Sequence, residues 1–339
     1  MLLADQGADV LKIEPLTGDP LRGSTEFSVW NRGKKLIKLD IFYSDAISPL
    51  HKLISGVDAL IENLGPNTSN SLSISYNDLK KNYPQLIYVT LPGFPEGHEY
   101  EHIPPDEHLV SSASGIYALS PSGEQAIEGE GPSFHELYYS SPFAAITAAP
   151  AFVAAIFHRD STNRGQQVTV PMHDAMYQGM GTALVRHSER THGRQVGHPI
   201  LKRFYQCKDG AWVNVNFDIP RFLEPFLKST GHEKWIEFFQ NLDESKIDAD
   251  AKNYWSNKLD SLWKTKTSDQ WESQLAKLGL PCTKCRTIDE WLTLNHSTES
   301  EIVITTQDPV FGEMQHPGLL VSSKGRHFSP TPAYLIEAP

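Results

Sequence analysis

A chain of 339 residues is long enough for about two domains, or for one large α/β unit with an insertion, and can bury a substantial core. Its 39% apolar and 21% charged residues are ordinary for a globular protein, while a net charge of −11 argues against a nucleic-acid partner, which needs a basic face. No apolar run approaches the ~20 residues that cross a bilayer, and no secretory or Ser-rich basic leader is visible, so the expectation is a cytoplasmic protein with no membrane partner.

Met1 opens directly into a helical stretch ending at Gly7, whereas an α/β domain ordinarily begins with a strand, so a fragment or a misplaced start is expected. Strands are predicted at 8–13, 36–39, 59–62 and 86–91, with amphipathic stretches between them, notably 44–55. Strands separated by helices favour a mostly parallel sheet, which binds ligands where strand ends meet polar loops. Residues 96–135 are loop-rich, with one helical stretch near 109–119. Residues 143–158 form a long alanine-rich helix, apolar all round and hence buried, with Pro150 as a kink. A turn at 164–166, a strand at 167–170 and a helix from Met172 follow.

From Leu201 the texture changes. Two strands around Lys208-Asp209-Gly210 form a hairpin signal, and 228–278 is largely helical with Trp235, Trp255, Trp263 and Trp271 as a core stripe. Cys282 and Cys285 form a lone C-x-x-C without a second ligand pair; zinc needs four ligands, so the pair is taken as structural and no metal is expected. The odd count, with Cys207, fits a reducing compartment.

Several strings in order resemble the class III CoA-transferases, the family that includes formyl-CoA transferase, carnitine CoA-transferase and α-methylacyl-CoA racemase. They are L-A-D-Q-G-A-D-V-L-K-I-E-P from Leu3, G-D-P-L-R-G from Gly18, N-R-G-K-K-L-I-K-L-D from Asn31 and D-A-L-I-E-N-L-G-P from Asp58. L-I-Y-V-T-L-P-G-F from Leu86, S-A-S-G-I from Ser112, A-A-I-F-H-R-D-S-T-N-R-G-Q-Q-V from Ala154 and F-Y-Q-C-K-D-G from Phe204 complete the set, with H-P-G at His316. The resemblance implies a Rossmann-like, mostly parallel α/β domain over 1–198, a smaller inserted α+β domain over 199–305, and a C-terminal segment from 306 returning to the first. It also implies an interlocked dimer, which a missing first strand would weaken, so a chain extended upstream is expected to be more stable.

CoA carries a 3′-phosphate and a pyrophosphate, and Arg22, Arg32, Lys34 and Lys35 place four cations within fourteen positions. The alternative for each is a solvated surface charge. By resemblance Asn31 joins this surface and Asn63 contacts the adenosine end of CoA, its rival role being a turn cap before Pro66. An arginine usual in the family corresponds to Ser71, removing one phosphate contact.

In the transferases it resembles, an aspartate before the long buried helix attacks the acyl-CoA thioester. A carboxylate suits this role because it is both nucleophile and leaving group. Counting back from the R-G-Q turn, that position is Ser141, and a serine needs a neighbouring base. Glu136 is the candidate substitute; its bland reading is an exposed loop acid. Asp174 reads as a helix-start carboxylate. Asp106, Glu107 and His108 face the expected site, but in an order unlike the histidine–aspartate pair of the racemases. The expected function is CoA transfer between an acyl-CoA and a carboxylic acid, with the CoA thioester as substrate and no permanently bound cofactor. The alternatives are a non-catalytic CoA-binding partner of an active paralogue, in a heterodimer rather than a homodimer, and an acyl-CoA racemase or isomerase.

Overall fold

The order of elements alternates from the start. In the computed structural model the described residues are 1–43, 46–118, 132, 137–181, 200–217, 219–242, 247–319, 321 and 330–336. Helix α1 (Leu2–Asp5) turns at Gly7, which takes a φ of 94°, into β1 (Val10–Glu14). Helix α2 (Thr25–Asn31) starts where the Ser24 hydroxyl accepts the Phe27 N–H, and β2 (Lys34–Lys38) returns beside β1 in parallel. Helix α3 (Ile47–Ile54), β3 (Ala59–Glu62), the short helices α4 (Pro66–Ser71) and α5 (Tyr76–Leu79), and β4 (Ile87–Thr90) follow. Helix α6 (Glu107–Ser114) precedes the long α7 (Ser140–Thr162), β5 (Gln167–Thr169) and α8 (Met172–Met180).

Four residues of β4 in the order Ile-Tyr-Val-Thr are all buried, the pattern of a parallel strand covered on both faces. Ile87 and Val89 point to a core shared with Ala144, Ala148, Phe152 and Ala155 of α7, and Tyr88 points the other way, to Leu50, Ile54 and Leu79. Strands β3, β4 and β5 form one three-stranded parallel sheet. Among the described residues the pairing thus gives a mixed α/β fold with parallel sheets, hydrogen-bonded as two three-stranded sheets, the second being β1, β2 and a short C-terminal strand.

Gly165, in the turn after α7, lies against the start of β4: a Cβ there would sit 2.1 Å from the Leu86 carbonyl oxygen. Only glycine permits that approach. Helix α7 differs from expectation in two ways. It spans 23 residues with a mean hydropathy of 1.6 over its most apolar window, long and apolar enough by length and composition alone to cross a bilayer. Nor is it buried all round: one stripe is core, while Ile146, Val153 and Phe157 are 51%, 58% and 79% exposed in the single chain. Pro150 lies inside the helix without ending it.

The chain divides into two compact units, Met1–Gly193 with Asn295–Pro339, and Arg194–Leu294. The second unit contains an antiparallel sheet of β6 (Phe204–Gln206), β7 (Trp212–Val215) and β8 (Cys282–Lys284). Between β7 and β8 run α9 (Pro220–Ser229), α10 (Ile236–Gln240), α11 (Ala249–Trp263) and α12 (Ser268–Lys277). Trp263 and Trp271 are fully buried, the Trp271 indole N–H donating to the Trp263 carbonyl at 2.8 Å, and Trp235 and Trp255 pack against the same core. The tryptophan stripe is core, as its spacing predicts. Helix α13 (Ile288–Leu292) closes this unit.

From α14 (Asn295–Glu299) the chain is back in the first unit, forming the antiparallel hairpin β9 (Val303–Asp308) and β10 (Gly312–Pro317). Strand β11 (Tyr334–Leu335) pairs in parallel with β2.

Candidate active site

Asp106 ends the loop after β4 and caps α6, its Oδ1 accepting the N–H groups of His108 and Leu109 at 3.0 Å each. That cap fixes the next residue, Glu107, on the first turn of α6, from which its side chain reaches the N-terminus of α7. There Oε1 accepts the backbone N–H groups of Tyr139 at 2.7 Å and Ser140 at 3.0 Å, and the Ser111 hydroxyl lies 3.2 Å away. Oε2 accepts the backbone N–H of Ser141 at 2.7 Å and its hydroxyl at 2.6 Å.

A helix N-terminus offers unpaired N–H groups and a positive dipole end, and this one holds a carboxylate. Partial burial opposes ionisation of Glu107, but the donors of Ser141, Tyr139 and Ser140 outweigh it and bring its pKa down to about 2. Ser141 itself is not an activated nucleophile. A carboxylate held that low is too weak a base to take a hydroxyl proton.

Sequence reasoning placed the reactive position at Ser141 and looked for a substitute acid at Glu136. Glu136 lies outside the described residues. The carboxylate that the structure brings to Ser141 is Glu107. It was in view as part of Asp106-Glu107-His108, but its partners lie 32 to 34 residues along the chain, a tertiary contact no local pattern announces. The usable signal was Asp106: an N-cap there puts Glu107 at a helix start facing the site. His108 turns aside, its Nδ1 2.8 Å from the Tyr117 hydroxyl and its ring edge-on to Tyr138. Asp174 is half exposed in the first turn of α8, 3.3 Å from Nδ1 of His173.

The cations divide. Arg22 donates from Nη2 to Glu14 at 2.6 Å and lies over the Phe27 ring; Lys12 is 3.3 Å from the same carboxylate and also pairs with Asp19. Asn31 is buried, donating to the Phe27 carbonyl and accepting from Lys34 Nζ at 3.1 Å. Burial, with Lys12 nearby, pushes Lys34 down to about 8. Arg22, Asn31 and Lys34 therefore share one neighbourhood. Lys35, next on the strand, points to the opposite face and pairs with Asp9 at 2.6 Å. Arg32 is not a surface cation: it is 2% exposed, bonded to both oxygens of Asp5 and to the carbonyls of Pro317 and Gly318.

Asn63 is exposed just past the C-terminal end of β3. Beside it, Glu62 accepts the Leu64 N–H at 2.7 Å and the Tyr88 hydroxyl at 3.2 Å, and lines a cavity of about 150 Å³ with Tyr76, Tyr88, Phe94, Glu96 and Glu101. Three carboxylates make that cavity unsuited to phosphates. Burial pushes the thiols of Cys207 and Cys282 up to about 11 and about 12, while Cys285 is exposed.

A carboxylate delivered to the head of a long helix, in an α/β unit with parallel sheets, agrees with what the model of CoA-transferase family III finds: it matches residues 1–334. The chain belongs to CoA-transferase family III. Its function is that of the family, moving CoA between an acyl-CoA and a carboxylic acid. Among relatives, the (R)-2-hydroxy-4-methylpentanoate CoA-transferase of Clostridioides difficile is 27% identical over 318 residues, covering 86% of this chain and 76% of that protein. The succinyl-CoA–L-malate CoA-transferase alpha subunit of Chloroflexus aurantiacus is 26% identical over 232 residues, 63% of this chain and 53% of that protein. The chain spans less than half of some other relatives, 44% in one case. Among solved structures, Rv3272 from M. tuberculosis superposes with a TM-score of 0.84 at 19% identity, over 99% of this chain and 91% of that one, a likeness of fold.

Proposed function

We propose that this chain transfers CoA at the N-terminus of α7, with an acyl-CoA and a free carboxylic acid as its substrates and the CoA thioester as a passing substrate rather than a resident group. The observation that carries the reading is the Glu107 carboxylate 2.6 Å from the Ser141 hydroxyl, an ionised acid at the position where this family's chemistry needs one. Arg22, Asn31 and Lys34 are the group best placed to meet CoA phosphates. Lys34, pushed down to about 8, is still mainly charged at neutral pH, and a bound phosphate would raise its pKa again. Lys35 faces away from them, and Asn63 is reserved for the adenosine end. The name of the C. difficile relative makes branched 2-hydroxy acids the first acids to try. The test is turnover: the purified chain, given acyl-CoAs and acids, forms new acyl-CoA species seen by mass spectrometry. A chain that binds CoA and forms none does not transfer it.

A second reading, a non-catalytic partner subunit, is favoured by one feature: both oxygens of Glu107 are engaged by donors, as in a purely structural helix cap. That a relative is named as an alpha subunit is in keeping with it. Adding an active paralogue separates the two, since only the partner reading requires it.

We further infer that two chains associate, as interlocked dimers of this fold do, with the small domain inserted in the large one. The support is the uncovered apolar face of α7 at Ile146, Val153 and Phe157.

A further inference from the structure

We propose that Glu14 is a positioning residue for CoA: it holds the Arg22 guanidinium, against the Phe27 ring, ready to meet a phosphate. The inference rests on the reading of Arg22 as a CoA contact and deepens it. Glu14 ends β1, where a parallel sheet meets its ligands, and its side chain is 1% exposed. One carboxylate oxygen, Oε2, accepts from Arg22 twice, from Nε at 3.0 Å and from Nη2 at 2.6 Å. The other, Oε1, is buried with no hydrogen-bond partner among the described residues, although the Lys12 ammonium lies 3.3 Å away. Lys12 donates to Asp19 instead.

A buried ion pair adds little stability over apolar residues of equal volume, so stability alone does not account for Glu14. The surroundings of Arg22 give the pair another use. Glu14 engages only one edge of the guanidinium. Nη1 has no hydrogen bond among the described residues, and the side chain is 33% exposed. The Phe27 ring lies 5.0 Å from the guanidinium carbon and 5.3 Å from Lys12 Nζ, so two cations share one aromatic ring. Gly18 closes in from another side: a Cβ there would sit 2.9 Å from both Cδ and Nε of Arg22. Lys34 lies on the same face of the sheet as Lys12 and Glu14, because its partner across the ladder is Val10. Arg22 is therefore fixed by a carboxylate, a ring and a glycine, with donors to spare. A group held in place before its ligand arrives loses less freedom on binding.

Charge alone gives the opposite expectation. If Glu14 acted only as a negative charge beside a phosphate site, removing that charge would tighten the binding of an anion. Positioning says that CoA binds more weakly.

The experiment is calorimetric titration of CoA into the wild-type chain, Glu14→Gln, Arg22→Ala and the double variant. Each single change should weaken CoA about tenfold, and the double variant should bind about as Arg22→Ala does, the non-additivity of two residues acting as one. A residue that only supports the fold gives losses that multiply. Gly18→Ala is the second probe, since it keeps every charge and pushes Arg22 off Glu14; it should weaken CoA about fivefold. Should Glu14→Gln not fold, Gly18→Ala decides alone. A Kd equal to or tighter than the wild type's in either variant, or losses that multiply in the double variant, overturns the role of Glu14. A chain that transfers CoA while its variants bind like the wild type overturns Glu14 alone. One that binds CoA with the expected losses and transfers nothing overturns transfer alone, and one that binds no CoA overturns both.

Discussion

Glu107 owes its low pKa to the donors around it, and those donors make a prediction about Ser141. Removing the hydroxyl takes away one hydrogen bond to a charged group, worth about 1.5–3 kcal/mol. Ser141→Ala should therefore raise the Glu107 pKa from about 2 and lower stability at neutral pH by up to about that amount, read from denaturant unfolding. Ser141→Asp should lower the melting temperature at pH 8, where two carboxylates would compete for one set of N–H groups, and the loss should shrink near pH 4. A melting temperature that rises at pH 8 would mean the site accommodates a second acid. At this scale the sequence was partly legible. Counting back from the R-G-Q turn found the head of α7 through Ser141, because helix length is fixed by local geometry. It missed Glu107, because that side chain belongs to another element and only the folded chain joins the two.

Glu107 ties α6 to the first turn of α7, and its folded pKa, about 2, lies below its usual 4.5. A carboxyl with a depressed folded pKa stabilises the fold fully above its unfolded value, and that contribution is lost as pH falls from 4.5 toward about 2. Melting curves across that window should fall more steeply for the wild type than for Glu107→Gln. His316 on β10 is the counterpart nearer neutrality. It is 4% exposed, neither ring nitrogen has a hydrogen-bond partner among the described residues, and burial and then Arg32 lower its pKa from 6.5, with Asp308 opposing. The folded chain thus resists a proton the unfolded chain accepts, so stability falls as pH drops below 6.5, and His316→Phe should flatten that limb. Gly165→Ala forces a methyl group to within 2.1 Å of the Leu86 carbonyl and should cost about 1–3 kcal/mol, read from denaturant unfolding. Strand positions were legible because β3 is a short apolar run and β4, Ile-Tyr-Val-Thr, is rich in β-branched residues, each bounded by turn signals. The buried Arg32–Asp5 pair was not, since the carbonyls of Pro317 and Gly318 that complete the hydrogen bonding of Arg32 come from the far end of the chain.

Over the whole molecule, composition and charge set the class and the ordered strings set the family. The exposed face of α7 was misread as buried, because periodicity reports that a face is apolar and not what covers it. If a second chain covers it, Phe157→Glu should shift the protein toward monomer in size exclusion with light scattering, and an unchanged mass would place the interface elsewhere. The central claim is that this chain, by itself, moves CoA from an acyl-CoA to a carboxylic acid through the carboxylate at the head of α7. The most direct measurement is to incubate the purified chain alone with one acyl-CoA and a carboxylic acid labelled with ¹⁸O, and to follow the acyl-CoA products by mass spectrometry. The predicted result is a new acyl-CoA carrying the labelled acid's acyl group, formed by this chain alone. No product until a second, active chain is added would contradict it.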